Sequence, residues 1–451
     1  MRLTIIHPAI GHIPGIKYIR SWQMEPLQAA VIAGLTPQDI DIRFYDDRME
    51  KIPFAKPTDA VVISIETYTA KRAYQIASEY RLRGVPVIAG GFHATLASAE
   101  VERYAESVVV GEAESIWSAI IDDLRHGTLQ KRYQGMPQPD LDEVRVDRRI
   151  FTDKKYLPIG LIETGRGCPF PCDFCAIQSF FKRTHRSRPV DKIVEEITRL
   201  KESKKVFFFV DDNFAGNLSS ARLLLTQLAK LKIRWITQMS IHAAHDEDFL
   251  KLLADSGCKG VLIGFESLNE DNLRIMKKKF NTMRGGYGKA LDNLRRYGIR
   301  VYATFIFGYD NDTEQSFDQT VDFAIDQNFY IAAFNHLTPF PGTPLYEKLK
   351  QQNRLRFNAW WLDEDYRYND VPFHPDRLAA SDITRLCVAA RKRFYSWPNI
   401  IKRGLHKTNR SDPFMFRNFF PINVMHRSDV DGRNGYPLGD KNWSGKLLEA
   451  G

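Results

Sequence analysis

Three cysteines at Cys168, Cys172 and Cys175 constrain this chain more than any other feature. They lie in the run Gly165-Arg166-Gly167-Cys168-Pro169-Phe170-Pro171-Cys172-Asp173-Phe174-Cys175, just after an apolar strand-like stretch, Leu157 to Glu163. Three thiolates at C-x3-C-x2-C spacing cannot complete a tetrahedral zinc site. They can hold three irons of a [4Fe–4S] cube and leave the fourth open for a substrate or cofactor. Zinc would need His185 or a distant residue as fourth ligand, and an ordinary ferredoxin cluster takes a fourth cysteine, which is not nearby. The chain has five cysteines in 451 residues. Cys258 and Cys387 lie singly in helical-looking stretches and read as small buried hydrophobes. With no secretory or transmembrane run, the expectation is a reducing cytoplasm rather than a disulfide framework.

Downstream, apolar β-rich runs alternate with amphipathic ones. The strand candidates are Val206–Val210, Ile233–Met239, Gly260–Phe265, Val301–Phe307 and Ile331–His336. With the strand before the cysteines they make six. Between them Val190–Leu200, Ser219–Leu231, Asp246–Ser256 and Arg284–Tyr297 have helical periodicity. This alternation predicts a parallel sheet with helical crossovers, a partial (β/α)6 barrel with its site at the C-terminal strand ends. Those ends carry Asp211-Asp212-Asn213, Gln238-Met239-Ser240 and Glu266-Ser267. Such residues suit ammonium and hydroxyl ligands, and equally cap the helices that follow.

Residues 1–145 form a different unit, with a linker from about residue 125. Five short apolar runs (Leu3–Ile6, Ile40–Tyr45, Ala60–Ile65, Val85–Ala89, Val108–Val110) alternate with helical segments at Pro26–Leu35, Ala70–Leu82 and Ala97–Tyr104. This is a doubly wound, Rossmann-like pattern whose ligand sits beyond the strand C-termini. There the chain carries Ser64-Ile65-Glu66-Thr67, Gly90-Gly91-Phe92-His93-Ala94-Thr95 and Gly111-Glu112. A further helix is expected at Ala113–Leu124, followed by a proline-punctuated arm from Thr128 to Arg149.

The cysteine motif, with Phe174 directly before the last cysteine, resembles the signature of the radical S-adenosylmethionine (SAM) superfamily. The resemblance implies that SAM chelates the open iron and is cleaved to a 5′-deoxyadenosyl radical. By position it puts Phe174 near the adenine, Asp212 and Asn213 near the methionyl amino group, and Gln238, Ser240 and Glu266 near the ribose and methionyl groups. The Gly-Gly-x-His-x-Thr and Gly-Glu-x-Glu runs ahead of such a barrel resemble the superfamily's cobalamin-binding branch, over roughly residues 1–350. That implies a cobalamin site at Ser64, Glu66, Thr67, Gly90, Gly91, His93, Gly111 and Glu112. His93 is expected to hydrogen-bond the nucleotide tail or to cap a helix. The branch's Asp-x-His-x-x-Gly loop reads Asp46-Asp47-Arg48-Met49-Glu50-Lys51 here, so no imidazole is expected on cobalt. Arg48 and Met49 are expected in a solvated turn.

Residues 351–451 read as a helical, aromatic and basic region. Between Val388 and Arg427 stand nine Lys or Arg and one acid, Asp412, a net of +8 against a formal +9 for the whole chain. Such a stretch fits a helical cap with its cations in water, or an anionic membrane surface; nucleic acid ranks below both. Trp360-Trp361 and Phe373-His374-Pro375 are expected at the mouth of an apolar pocket, and Ser428 to Gly451 as a loose tail.

Three classes of function follow. The first is a cobalamin-dependent radical SAM methyltransferase acting on an unactivated carbon of a lipid, terpenoid, tetrapyrrole or natural-product intermediate. A flavodoxin- or ferredoxin-type protein would be its electron donor. The second keeps both cofactors but cyclises, rearranges or oxidises without methyl transfer. The third is a non-catalytic cobalamin or cluster sensor. With no cysteine before Cys168, the second cysteine set of the tRNA methylthiotransferases is absent.

Overall fold

The structure, a computed structural model, describes residues 1–449. Six parallel strands form the first sheet: β1 Arg2–His7, β2 Asp41–Asp46, β3 Ala60–Ser64, β4 Val87–Gly90, β5 Ser107–Val110 and β6 Arg132–Gln134. Their order is β2-β1-β3-β4-β5-β6, so the direction of winding reverses between β1 and β3. Loops at such a switch point diverge and leave a crevice. Ile6, Val61, Ile63, Val87, Ala89 and Val108 face the Ala70–Arg81 helix. Leu3, Ile5, Val62, Ile88 and Val109 face the Leu27–Leu35 and Trp117–His126 helices.

β6 corrects the linker reading: it pairs with β5 through Val108↔Arg132 and Val110↔Gln134. Only Tyr133 of its three residues is buried, too few for an apolar period to register. The helix expected at Ala97–Tyr104 is instead two short helices, Phe92–Leu96 and Ser98–Val101, separated at Ala97 (φ −130°, ψ 40°).

The second sheet contains β7 Ile159–Ile162, β8 Val206–Phe209, β9 Trp235–Gln238, β10 Cys258–Glu266, β11 Arg300–Phe307 and β12 Ile331–His336. All are parallel, and the order β12-β11-β10-β9-β8-β7 is sequential with β7 and β12 at opposite edges. This is an unclosed barrel. Phe207, Trp235, Val261, Val301 and Ala332 pack with helix residues such as Ile193, Leu224, Leu253, Leu294 and Val321 in one continuous core. Phe209 stacks on Trp235 at 4.6 Å, and burying side chains of that size contributes roughly 1.5–3 kcal/mol each. On the opposite, lumen face, Gln238, Leu262, Tyr302 and Ile331 stand in register across four strands and are only half-buried. Cys258 opens β10 rather than lying in a helix, and is buried, as is Cys387. The helix expected from Arg284 begins two residues later, after a 3-10 segment, where Gly285 and Gly286 take φ of +95° and +64°.

The C-terminal helices cover the open edge of the barrel. The Tyr395 hydroxyl donates to Ala332 O at 2.9 Å and accepts from Ala332 N at 3.3 Å, satisfying exposed edge groups of β12. The cations are not all in water. Arg403 is fully buried, 3.7 Å over the Phe394 ring, and donates to Phe329 O and Asn423 Oδ1. The tail is not loose either. Helix Pro413–Arg433 runs through its start, Gly439–Asp440 pairs with Gly11–His12, and Trp443 Nε1 donates to Glu79 at 2.8 Å. Trp360 and Trp361 are buried against the first sheet's helices rather than lining a mouth, and Phe373 is buried in the barrel core. Among the described residues no helix is long and apolar enough to cross a membrane.

Candidate functional site

The cysteine loop starts from a short strand, Gly165–Gly167, paired antiparallel with His185–Ser187. Gly167 sits at φ +87°, where a Cβ would strike Thr184 O, so only glycine turns the chain into the loop. Cys175 ends the loop at the start of helix Ala176–Phe181. Among the described residues no three His, Cys, Asp or Glu side chains are grouped as one metal ion would need. The His185 ring packs against Gly216.

The Asp211-Asp212-Asn213 run after β8 holds this loop at successive points. Asp211 accepts from Thr164 N (2.6 Å) and Gly165 N (3.2 Å), and Asp212 from Gly167 N (2.7 Å). Asn213 donates from Nδ2 to Cys168 Sγ at 3.7 Å and accepts from Ser240 N at 3.0 Å. Burial pushes Asp211 up to about 7 and Asp212 up to about 6, each partly offset by these amides. Asn213 and Ser240 thus brace the loop, while Asp212 also faces a cavity. Gln238 lies on the half-buried lumen face, and Phe174 packs partly buried against the barrel core.

Glu266 ends β10 in the left-handed region (φ +63°), beside a register shift between Gly264 and Glu266. Strain of this kind persists where surrounding contacts enforce it. Here Lys278 bonds Gly264 O (3.2 Å) and pairs with the Glu266 carboxylate, while Asn281 donates to Gly264 O and Phe265 O, both at 3.1 Å. Burial opposes the charge on Lys278, but Glu266 and the Cys172 and Cys175 thiols outweigh it and raise its pKa. Burial in turn pushes the Cys172 thiol up to about 12, with Lys278 pulling the other way. Lys278 was invisible in the sequence because it sits inside Lys277-Lys278-Lys279, a run that reads as solvated surface.

Two cavities meet at the first sheet's strand ends. One, of about 330 Å³, is lined by Ser64, Glu66, Gly90, Gly91, Gly111 and Glu112 and, from the barrel side, by Glu163, Gly165, Arg166 and Asp212. The other, of about 460 Å³, is lined by His7, Tyr18, Trp22, Arg48, Glu66, Thr67, Tyr68 and Phe340, with Ala176 and Ile177 from the cysteine loop's helix. Glu66 and Phe92 line both. Glu66 is exposed to solvent where it lines the cavities, and desolvation by the surrounding chain pushes its carboxyl up to about 7. Gly91 takes φ +100°, with a Cβ position 2.9 Å from Ile65 N and O, so backbone comes to the crevice wall without a side chain.

Three expected positions behave otherwise. His93 is fully buried and lines neither cavity, its ring nitrogens facing Thr67 Oγ1 (3.3 Å) and Glu100 (3.1 Å). Glu112 reaches a cavity wall, but its carboxylate is committed to Arg166 (2.7 Å) and Arg186 (2.6 Å), with Glu114 also on Arg166. Arg48 is not in a solvated turn. It is buried on Asp46 and donates to Trp22 O (2.6 Å) and Met24 O (2.8 Å).

A family model described as the radical SAM superfamily matches residues 162–324. The bacteriochlorophyllide d C-12(1)-methyltransferase of Chlorobaculum tepidum is 32% identical over 392 residues, covering 84% of each chain. The same organism's bacteriochlorophyllide d C-8(2)-methyltransferase is 28% identical over 400 residues, 84% of this chain and 87% of the relative. Among solved structures, the radical SAM methyltransferase TsrM from Kitasatospora setae, with cobalamin and a [4Fe–4S] cluster bound, superposes with a TM-score of 0.64 at 16% identity. That match covers 96% of this chain and 99% of TsrM, and so extends the shared fold over both sheets. With a barrel and a cysteine loop in the matched region and a relative of this identity along most of its length, the chain carries a radical SAM domain and belongs with the bacteriochlorophyllide d methyltransferases in one family.

Proposed function

We propose that this protein methylates a carbon of a tetrapyrrole-type substrate, using SAM, a [4Fe–4S] cluster on Cys168, Cys172 and Cys175, and cobalamin between the two sheets. The observation that carries the reading is the second cavity. Glu66 and Thr67 of the first sheet share it with Ala176 and Ile177, which directly follow Cys175, so a ligand on those strand ends stands beside the cysteine loop. The substrate class follows the two relatives named for bacteriochlorophyllides. Residues 1–145 would carry cobalamin and residues 146–350 the radical chemistry, with a flavodoxin- or ferredoxin-type electron donor.

When bound, the cluster and SAM supply the one-electron chemistry that takes a hydrogen atom from the substrate, and cobalamin supplies the methyl group. This chain's residues bind and orient. Lys278 offers a buried positive charge to three thiolates that must lose their protons to ligate iron. Asn213 keeps Cys168 in place by its Nδ2 bond. Asp212, Glu266, Gln238 and Phe174 form the SAM side, whereas Asn213 and Ser240 act through the loop they brace. On the cobalamin side Ser64, Glu66, Thr67, Gly90, Gly91 and Gly111 remain as contacts, with Tyr68, Trp22 and Phe340 as water-excluding walls. Glu66 offers its carboxylate oxygens as acceptors for ligand amides. Glu112 stands at the same wall with its carboxylate held by Arg166 and Arg186, and His93 supports the strand ends from within the fold.

The test is anaerobic purification from cobalamin-fed cells, with iron, sulfide and cobalt counted per chain, then incubation with SAM, reductant and a bacteriochlorophyllide. Four irons, one cobalt, S-adenosylhomocysteine and a substrate heavier by one methylene support the proposal. Iron and 5′-deoxyadenosine without cobalt would sink the methyl-transfer reading. Methyl loading without a methylated pigment would sink only the substrate.

A further inference from the structure

The helix Trp397–Leu405 shows opposite characters on its two sides. Ile400, Arg403 and Gly404 are buried, and a Cβ on Gly404 would lie 2.8 Å from the Phe419 and Phe420 rings. The helix is therefore pressed against Pro413–Arg433 as closely as backbone allows. The other side carries Trp397, Ile401 and Leu405, 51%, 49% and 55% exposed. At i, i+4 and i+8 these three form one outward stripe. Val424, on the neighbouring helix and one turn beyond Phe420, is also exposed.

The surrounding cations divide into two groups. Arg393, Lys402 and Lys392 are answered by Asp318, Asp322, Asp326 and Asp431. Lys407, Arg410 and Arg417 are exposed, and among the described residues none forms an ion pair. Arg427 lies 5.4 Å over the Trp397 ring. The apolar stripe of Trp, Ile and Leu thus lies on a helix packed against the Lys407–Arg410 and Pro413–Arg433 helices, which carry these cations that no carboxylate neutralises.

We propose that this face is a docking surface for an anionic lipid bilayer. A short helix with an exposed apolar stripe and flanking Lys and Arg lies in the interface plane, its tryptophan at headgroup depth and its cations over anionic lipid. A second copy of the chain fits less well, because a two-fold contact would set the same unpaired cations against one another. The inference does not depend on the cofactor or substrate reading, since none of these residues belongs to the cavities or the cysteine loop. It places the enzyme where sparingly soluble substrates concentrate.

The experiment is co-flotation of the full-length protein with phosphatidylcholine vesicles, with or without phosphatidylglycerol, at low and high salt. Flotation only with phosphatidylglycerol, and release by salt, is the expected result. Trp397→Ser combined with Ile401→Ser should weaken binding about tenfold or more, as removal of so much buried apolar area requires. Lys407→Ser, Arg410→Ser and Arg417→Ser together should abolish the phosphatidylglycerol dependence. Both variants should cleave SAM as the parent does, showing that they fold. Tryptophan emission should shift to the blue on phosphatidylglycerol vesicles, and less so in Trp397→Phe. No flotation at low salt, or equal flotation with neutral vesicles, overturns the proposal. So does light scattering that finds a dimer which Ile401→Ser breaks, since the stripe is then a contact between copies.

Discussion

Along β3 and β4 every residue except the last is buried, whereas along β8, β9 and most of β11 buried and half-buried residues alternate. Both sheets are six-stranded and parallel, with helices as crossovers, yet the first is covered on both faces and the second on one. A parallel sheet packed on both sides offers a ligand only its strand ends, and the reversal of order between β1 and β3 opens those ends. A curled, unclosed sheet with helices outside keeps a lumen, lined here by Gln238, Leu262, Tyr302 and Ile331. The first sheet has the shape to present a ligand; the second has the shape to enclose one. The two meet where Glu66, Phe92, Ala176 and Ile177 share a cavity.

The comparison breaks most sharply at the cysteines. Cys172→Ala should abolish SAM cleavage and lower iron content while leaving the first sheet's unfolding within about 1 kcal/mol of the parent, as a change outside its core should. Cleavage at the parental rate would remove the cluster from the enclosing sheet. Next in size is Gly264→Ala. Its Cβ would lie 2.7 Å from Lys278 Nζ and strike the Glu266 carboxylate. Displacing that pair should slow SAM cleavage by about a hundredfold, as an ångström-scale misplacement does, and assays under saturating SAM would show it.

Stability then separates the sheets directly. Ile88→Ala, in the doubly covered sheet, should cost about 2–5 kcal/mol in denaturant unfolding. Ile306→Ala, on the half-buried lumen face of β11, should cost less than about 2 kcal/mol and show its effect in substrate binding instead. Equal costs would mean that the lumen is packed shut.

The smallest effect is on pH dependence. Burial, with Arg391 nearby, pushes His336 at the end of β12 down to about 3, and burial with Arg48 does the same to His7 at the end of β1. The folded state thus resists a proton that the unfolded chain accepts near 6.5. Stability from each histidine is complete above that value and is lost as pH falls from 6.5 toward 3. The loss is about 1.4 kcal/mol per pH unit per histidine. His336→Gln should remove about one such increment between pH 5.5 and 4.5, measured by urea unfolding; an unchanged slope would show that the ring takes up its proton in the folded state.

Much of this was legible in the residues. The helix Val190–Leu200 has its expected ends because an apolar helical period runs between Pro189 and the polar Lys201-Glu202, and the β12 run Ile331–His336 has its own because residues buried at every second position follow the tight end of the preceding helix. The short elements were not legible. β6 has one buried residue in three, and the break at Ala97 leaves no mark in composition. At the site, the three cysteines and the polar strand ends could be found by type and spacing. Their partners could not. Lys278 looks like one of three surface lysines until the 3-10 turn folds it over β10, and the arginines that pair with Glu112 at a cavity wall, Arg166 and Arg186, arrive from another part of the chain.

The sequence by itself determined the repeat of strands and helices, the two sheets, and the loop that carries three cysteines at C-x3-C-x2-C spacing. Those rest on periods of a few residues and on spacing within one loop, and such information is local. Tertiary structure alone decided which polar strand ends stay free and which brace, why His93 turns inward, how Arg403 comes to be buried, and where the C-terminal residues return to Gly11 and His12. Each of these depends on partners tens to hundreds of residues away. Burial makes an unpartnered charge or hydrogen-bonding group costly, so the partner the fold delivers, not the residue's type, settles its role.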